Sequence, residues 1–254
     1  MTDDLKLAHQ LADVADSITM SRFRAADLRV DTKPDMSPVS EADTAVESAI
    51  RRGLGEACPN DTVLGEEEGV ASVDASSPRR WIIDPIDATR AYVRGVPVFA
   101  TLIALEIEGR VDIGMVSAPG LQRRWWAKRG DGAFANGAPI HVSRVRRVED
   151  AFITTTDMRF MSDPHRARYI ELALRCWTGR ALGDFWSHVL VAEGAVDIAV
   201  EPAGSIWDFA ALQPIVEEAG GRFTDYEGVA RIDAGRAIST NGLLHDAVIE
   251  AMRV

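Results

Sequence analysis

The N-terminal part of the chain has a helical pattern of apolar residues that two prolines interrupt. Apolar positions over the first 23 residues predict an amphipathic helix: Leu5, Ala8, Ala12, Ala15, Ile18 and Phe23. Pro34 and Pro38 favour an extended segment after it. Ser40 and Asp43 have the spacing of a capping box, which predicts a second helix that ends near residues 53–55.

Two short apolar runs follow, and each ends directly in carboxylates. The run TVLG at 62–65 leads into Glu66–Glu68, and the run RRWIID at 79–84 ends in Asp84. Both runs are rich in residues that favour β-structure. The pattern therefore predicts two strands whose ends carry acidic side chains.

The middle third of the chain has the pattern of a β-meander. Strands are predicted near Val98–Ile107, Val111–Ser117 and Arg124–Ala127, with turns at Gly109 and at Pro119-Gly120.

Beyond about residue 145, strands and helices alternate. The predicted strands lie near Ala151–Thr154, Val196–Val200, Arg222–Thr224 and Ala237–Ser239, and the predicted helices near Pro164–Trp177, Phe185–Glu193 and Asp208–Ala219. No internal repeat or low-complexity linker divides the chain. We therefore predict an α/β fold, an α+β layered sandwich of two closely packed halves, 1–145 and 146–254, around a shared cleft.

Composition limits the kind of partner. The 254 residues include 28 Lys and Arg against 39 Asp and Glu, a net charge of −11, which argues against nucleic acid. No apolar run reaches the roughly 18–20 residues of a membrane span, and the N-terminus lacks the pattern of a secretory signal. The two cysteines are far apart and form no CxxC motif. We expect a cytoplasmic protein without a membrane partner, which binds a small molecule or a metal ion.

Acidic residues at the ends of predicted elements indicate a magnesium site, because Mg²⁺ prefers hard oxygen ligands. Pro85 stiffens the turn between two of these carboxylates, so they can converge, and the carbonyl of Ile86 is a further candidate ligand. The acidic candidates are Glu66, Asp84, Asp87 and Asp208.

Each acidic residue also has a purely structural alternative. The run 66–68 is typical of a solvated turn. Asp208 and Asp184 can each be the N-cap of a helix, and Asp43 can be a member of a capping box. Taken singly, these residues are weak evidence. The turn around Pro85 is stronger, because a strand that delivers two carboxylates there has little structural purpose of its own.

Three segments resemble, in order and spacing, the signature segments of the inositol monophosphatase family of magnesium-dependent, lithium-sensitive phosphatases. They are LGEEEG at 64–69, WIIDPIDAT at 81–89 and WDFAALQPIVEEAGG at 207–221. The likeness is closer to the bacterial histidinol-phosphate phosphatases of that family, through RVDTKPDMSPVSEAD, YVRGVPVFATLIAL, SAPGLQRRWWAKRG and TNGLLHD. The resemblance implies a fold shared with inositol monophosphatases and fructose-bisphosphatases.

The resemblance also implies roles for individual residues. Two to three Mg²⁺ ions are expected, one held by Glu66, Asp84 and the Ile86 carbonyl, a second by Asp84, Asp87 and Asp208. Further residues are expected to activate water (Thr89 with Asp43), to contact phosphate (Ala88 and Thr89) and to contact the substrate (Asp184, Glu201 and Arg94). A homodimer is expected, with the region 150–180 at the interface.

One position departs from the family pattern. Ala88 stands where the family has glycine, at a backbone segment that approaches the phosphate, so its methyl group can crowd the ligand or strain a positive φ. The predicted function is Mg²⁺-dependent hydrolysis of a phosphate monoester, histidinol phosphate in histidine biosynthesis. The alternatives are an inositol, aminocyclitol or sugar monophosphatase, and a catalytically impaired phosphate-binding paralogue.

Overall fold

The computed structural model describes residues 3–34, 36–71 and 77–254. The helices are α1 (Asp3–Arg22), α2 (Glu41–Ala57), α3 (Thr89–Val93), α4 (Asp163–Arg175), α5 (Asp184–Ala192), α6 (Ile206–Ala210), α7 (Leu212–Glu218) and α8 (His245–Met252). The strands are β1 (Val30–Thr32), β2 (Pro38–Ser40), β3 (Thr62–Gly65), β4 (Gly69–Ala71), β5 (Arg79–Asp87), β6 (Ala100–Ile107), β7 (Arg110–Ala118), β8 (Arg123–Lys128), β9 (Gly132–Ala135), β10 (Ala138–Pro139), β11 (Phe152–Thr155), β12 (Thr178–Ala181), β13 (Ile198–Glu201), β14 (Arg222–Thr224) and β15 (Ala237–Thr240). Among the described helices, none is both long and apolar enough to cross a membrane.

Two helices cover one face of the first sheet, as the N-terminal pattern predicts. The buried apolar positions of α1 recur at helical spacing: Leu5, Ala8, Leu11, Ala12 and Ala15. They pack with α2 against the sheet residues Trp81 and Ile83. The predicted capping box at the start of α2 is confirmed, with Ser40 as N-cap and Asp43 as its partner.

The first sheet has eight strands in the order β10-β9-β8-β7-β6-β5-β3-β4. The predicted meander is confirmed, and its strands pair antiparallel. Among the described neighbouring strands of this sheet, only β3 and β5 run parallel, with Gly65 opposite Ile83 in register. Because parallel strands end at the same edge of a sheet, the acidic residues that follow these two strands come together there.

The second sheet has five strands in the order β12-β11-β13-β15-β14. Helices α4 and α8 cover its outer face, where Tyr169, Leu172 and Val248 are buried. Helices α5 and α7 lie between the two sheets, and α5 is apolar on nearly all sides because it is covered from both directions. The molecule therefore has five layers in the order α/β/α/β/α, which is the predicted layered sandwich.

The helix predicted over Asp208–Ala219 is instead two short helices, α6 and α7, that meet at Ala211. Pro214 has no N–H to donate to the carbonyl of Ala210, so a continuous helix would lack a hydrogen bond there. The junction lies directly against β7. A Cβ atom on Gly114 would be 2.1 Å from the Ala211 carbonyl oxygen, so this approach requires glycine.

Strand β12 was absent from the prediction. The helix predicted to reach Trp177 ends at Arg175, and the exposed edge strand Thr178–Ala181 follows. Its residues have no apolar alternation, because neither face of this strand is buried. The predicted boundary near residue 145 lies between β10 and β11, but helices of the C-terminal half pack on the first sheet. The division into two halves therefore stays a prediction.

Candidate active site

A cavity of about 450 Å³ lies where residues of both predicted halves meet. Its lining includes nearly all the site residues predicted from the sequence: Glu66, Asp84, Ile86, Asp87, Ala88, Thr89, Asp184, Glu201 and Asp208. Residues far apart in sequence thus share one concave site, as expected for a small-molecule site.

Three carboxylates converge in this cavity. Carboxylate oxygens of Asp84, Asp87 and Asp208 lie within 4.8 Å of one another. The first two come from the end of β5, where the pairing with β6 shifts register between them, and the third from the first turn of α6. Oδ2 of Asp87 also accepts the backbone N–H of Phe185 at 2.7 Å, which ties β5 to the start of α5. The predicted convergence around Pro85 is therefore present.

The electrostatics of the cluster fit a hard divalent cation. Burial raises the pKa values of Asp84 and Asp87 well above the usual range, and the neighbouring carboxylates raise them further. Burial also raises the pKa of Asp208 to about 6. Oδ1 of Asp84 is buried with no hydrogen-bond partner among the described residues. A divalent cation would satisfy this oxygen and offset the repulsion between the carboxylates.

Glu66 lies at the same edge of the sheet but outside the cluster of three. Its backbone N–H donates to the carbonyl of Ile83, which continues the pairing of β3 with β5. Its Oε1 accepts a hydrogen bond from Nζ of Lys33 at 2.7 Å. Lys33, which was not predicted, also pairs with Glu67. The role of Glu66 as a metal ligand stays a prediction.

A buried carboxylate of α2 fixes the turn that carries Glu66. Glu47 is fully buried, and its two oxygens accept the N–H groups of Glu67 at 2.8 Å and of Glu68 at 3.0 Å. Arg51 donates to the same carboxylate at 2.8 Å. A Cβ atom on Gly65 would lie 2.2 Å from Oε1 of Glu47. The family-like Gly-Glu-Glu-Glu run is therefore a structured turn rather than a freely solvated one.

Asp43 is the capping-box residue that the sequence predicts, and it also contacts Thr89, with which its role in activating water stays a prediction. Its Oδ2 accepts the N–H of Ser40 at 2.8 Å and its hydroxyl at 2.6 Å, which is the capping box. Its Oδ1 lies 3.3 Å from the hydroxyl of Thr89. The same hydroxyl lies 2.9 Å from the carbonyl oxygen of Ile86, and its single proton can be donated to one of the two at a time.

Ala88 adopts the left-handed conformation that the family glycine would occupy freely. Its φ is 65° and its ψ is 44°, and it precedes α3 at the wall of the cavity. For a residue with a Cβ atom this conformation costs roughly 1–2 kcal/mol. The positive φ considered from the sequence is therefore present, and the backbone keeps the shape that glycine would allow.

Asp184 and Glu201 lie on the wall that the second half contributes, and one hydroxyl connects them. Oγ1 of Thr156 accepts the backbone N–H of Asp184 at 2.9 Å and donates to Oε2 of Glu201. Burial raises the pKa of Asp184 to about 6 and that of Glu201 to about 8. Gly183 is the N-cap of α5, and Asp184 makes no capping hydrogen bond, so the N-cap alternative for Asp184 is wrong.

The substrate contact predicted for Arg94 is not supported by its position. Arg94 is exposed at the C-terminal end of α3 and is not part of the cavity lining, whereas Arg90, in the first turn, is. A helix that starts at the cavity wall points its first turn at the cavity and carries its last residues away. We therefore assign Arg90, rather than Arg94, to the rim of the cavity.

Several lining residues were not predicted. They are Thr156, Asp157, Arg159 and Phe160 from the connection between β11 and α4, together with His188. Burial lowers the pKa of His188 to about 3, so it is neutral, and its Nδ1 lies 2.6 Å from the hydroxyl of Ser239. No motif marks these positions in the sequence. Only the folding of the second sheet against the first brings them to the site.

Comparison with known proteins identifies the family of this chain. A model of the inositol monophosphatase family matches residues 1–253. The histidinol-phosphatase of Mycobacterium tuberculosis is 54% identical and that of Streptomyces coelicolor 50% identical, and each match covers 97% of this chain and 96% of the relative. An inositol monophosphatase from Zymomonas mobilis has a structure that superposes with a TM-score of 0.89 at 34% identity, over 99% of this chain and 98% of that one. This chain belongs to the inositol monophosphatase family, and it is a phosphatase.

Proposed function

We propose that this phosphatase hydrolyses histidinol phosphate to histidinol and inorganic phosphate, with Mg²⁺ as its cofactor, as a step of histidine biosynthesis. The observation that carries the proposal is the composition of one cavity. It joins three carboxylates that fit a divalent cation to two further carboxylates on another wall, the partly buried Asp184 and the buried Glu201. The relatives named histidinol-phosphatase support the choice of substrate.

In this proposal the site holds two to three Mg²⁺ ions. Glu66, Asp84 and the Ile86 carbonyl would hold one, Asp84, Asp87 and Asp208 a second, and a third would lie near Glu66. When bound, such ions stabilise the charge on the phosphoryl oxygens and make a water molecule more acidic.

The chain's own residues position the reactants. The hydroxyl of Thr89 accepts a hydrogen bond from the attacking water, while Asp43 orients that hydroxyl and takes up the proton. The N–H groups of Ala88 and Thr89 donate to phosphate oxygens. Water adds to phosphorus, the bond from phosphorus to the ester oxygen breaks, and the released alkoxide takes a proton from solvent water, while Asp43 returns its proton to solvent. The products are the alcohol and inorganic phosphate.

The carboxylates on the second wall select the alcohol. Histidinol carries a primary ammonium group, to which Asp184 and Glu201 can offer charge-assisted hydrogen bonds worth about 1.5–3 kcal/mol each. A neutral polyol such as inositol offers only hydroxyls, so Asp184 would have only Arg90 as a nearby cation and the buried Glu201 would gain no cationic partner from the substrate. The electrostatics therefore favour a cationic substrate.

A side-by-side assay tests the proposal. We expect kcat/KM for histidinol phosphate to exceed that for inositol 1-phosphate, and Asp184→Ala to narrow this difference by lowering the histidinol phosphate value selectively. If the enzyme prefers an amino-sugar phosphate, the selection of a cationic alcohol holds but histidinol phosphate is not the substrate. If it prefers inositol 1-phosphate, both the selection of a cation and the proposed substrate are refuted. If the protein binds phosphate but hydrolyses none of these monoesters, it is an impaired paralogue. The strained backbone at Ala88 is the observation that favours this alternative.

A further inference from the structure

A half-exposed aromatic ring stands at the mouth of the cavity. Phe160 belongs to the lining and is 49% exposed. Phe185 and Phe209 line the same cavity, but each is only 1% exposed. Among the described residues, Phe160 is therefore the lining phenylalanine whose ring a bound molecule can reach.

Local hydrogen bonds fix the backbone turn that carries this ring. Phe160 ends a 3-10 turn whose N-cap is Asp157. The Asp157 side chain accepts the N–H of Arg159 at 2.9 Å, and its carbonyl accepts the N–H of Phe160 at 3.1 Å. Cζ of Arg90 lies 5.7 Å from the centroid of the ring, within the range of a cation–π contact. The turn therefore holds Phe160 at the cavity, and Arg90 contacts its ring.

The ring is close to the wall assigned to the leaving alcohol. The guanidinium of Arg90 acts on the carboxyl of Asp184, whose pKa it lowers against the effect of burial. Phe160, Arg90 and Asp184 are thus neighbours around one part of the cavity. A leaving group that reaches this part meets an aromatic surface as well as carboxylates.

We propose that Phe160 is a specificity-determining residue whose ring stacks on a planar heteroaromatic group of the leaving alcohol. This inference rests on the proposed function, because histidinol carries an imidazole ring and inositol carries none. Aromatic rings attract one another in offset or edge-to-face arrangements with centroids 4.5–7 Å apart, and a polyol has no such surface to offer. Phe160 therefore selects for the ring, while Asp184 and Glu201 select for the amine.

The test compares two variants of Phe160 on two substrates. We expect Phe160→Leu to lower kcat/KM for histidinol phosphate by about fivefold to tenfold, mainly through KM, because it keeps an apolar side chain but loses the ring. The same variant should leave inositol 1-phosphate within about twofold of wild type. Phe160→Tyr keeps the ring and should stay within about twofold on both substrates.

Met158 provides a matched control. It lies on the same 3-10 turn and is 42% exposed, but it is not part of the cavity lining. Met158→Leu should leave both substrates unchanged. If it lowers kcat/KM for histidinol phosphate as Phe160→Leu does, the turn as a whole is responsible and the stacking role is refuted.

Failure of this inference and failure of the proposed function give different results. If wild type hydrolyses histidinol phosphate and Phe160→Leu changes both substrates equally, or neither, the inference fails alone. If wild type hydrolyses inositol 1-phosphate but not histidinol phosphate, the proposed function fails. In that case 4-nitrophenyl phosphate replaces histidinol phosphate as the aromatic substrate. The inference holds if Phe160→Leu lowers kcat/KM for 4-nitrophenyl phosphate more than kcat/KM for inositol 1-phosphate, and it fails if the two fall equally.

Discussion

Two aspartates of the site combine an observed structural contact with a proposed chemical role. Each is the third residue of its helix and closes a capping box: Asp43 with the N-cap Ser40, and Asp208 with the N-cap Ser205. In Asp43 one oxygen closes the box while the other faces the hydroxyl of Thr89. Asparagine retains one oxygen for the cap, so Asp→Asn is the substitution that tests the chemistry with least disturbance of the helix start.

Asp208→Asn should lower kcat by several powers of ten at saturating Mg²⁺, because a neutral amide binds a divalent ion weakly and leaves the charge of the reaction less stabilised. The measurement is steady-state hydrolysis of histidinol phosphate, with circular dichroism to show that the fold is kept. Near wild-type activity in this variant would contradict the assignment of Asp208 as a ligand.

The same variant should change how stability depends on pH in metal-free protein. Burial raises the pKa of Asp208 from 3.8 to about 6, so the folded state binds its proton more tightly than the unfolded state does. Its contribution to the free energy of unfolding therefore falls as pH rises from about 4 to 6 and stays low above that. Asp208→Asn should be more stable than wild type at pH 7.5 by on the order of 2 kcal/mol, and the difference should shrink near pH 4.

Urea unfolding with a chelator present measures this difference at each pH. Other groups titrate in the same range, among them His188, whose pKa burial lowers to about 3. The contribution of His188 is common to both proteins and cancels in the comparison, whereas Asp84 and Asp87, whose pKa values the charge of Asp208 raises, add to the pH-dependent difference. If the difference does not vary with pH, the titration of Asp208 is not its source.

Ala88→Gly should relieve the strain of the left-handed conformation. Alanine at φ 65° is penalised by its Cβ atom, whereas glycine adopts this φ freely. We expect turnover to be preserved or raised, and stability to rise by up to about 1 kcal/mol, since the greater freedom of glycine in the unfolded chain offsets part of the gain. Kinetics and urea unfolding measure the two effects. A fall in turnover would show that the alanine methyl group fits the substrate of this enzyme.

At the scale of elements, the turn between β3 and β4 depends on a single glycine. In Gly65→Ala the new Cβ atom would meet Glu47 at 2.2 Å, and Glu47 would have to leave the N–H groups of Glu67 and Glu68. We expect a loss of about 1–3 kcal/mol of stability and a higher Mg²⁺ concentration for half-maximal activity.

Gly55→Ala is the matched control for this prediction. Gly55 lies in α2, and a Cβ atom there has nothing within 4 Å. It should stabilise the protein by about 0.5–1 kcal/mol, because alanine is the better helix former, and leave the Mg²⁺ dependence unchanged. Equal behaviour of the two variants would refute the role of Glu47 in supporting the turn.

Local patterns predicted most of the elements, and the exceptions have physical causes. The helix periodicity of α1, the capping box of α2 and the strands of the meander depend on neighbours in sequence, and all are confirmed. Strand β12 has no buried face and therefore no pattern. The break between α6 and α7 depends on Pro214 and on the approach of Gly114, which comes from another part of the chain.

At the scale of the whole molecule, some parts of the candidate site could be predicted from the sequence and others could not. The ends of β3 and β5 supply carboxylates that the sequence could mark, because strand and carboxylate are adjacent in the chain. The link from Thr156 to Asp184 and Glu201 and the ring of Phe160 were not predicted. They exist only after the second sheet has packed against the first, and nothing local in the sequence encodes that contact.

The outer face of the molecule supports the expected homodimer. Ile170 and Leu174 of α4 and the nearby Trp177 are 43%, 82% and 72% exposed, beside an edge of β12 that pairs with no other described strand. Apolar side chains next to an open strand edge are typical of a protein interface. We expect light scattering to give a dimer at micromolar concentration and Leu174→Glu to shift it towards the monomer. A monomeric wild type would contradict the dimer.

The hydrogen bond from Phe185 to Asp87 has a consequence for motion during turnover. Separation of the two sheets would break this bond and leave a buried carboxylate without its donor, which is costly. Substrate entry and product release should therefore use local movements at the mouth, with the layers fixed, rather than a hinge between them. In hydrogen exchange, the amide of Phe185 should be among the slowest in the protein, and the amides of residues 158–160 much faster.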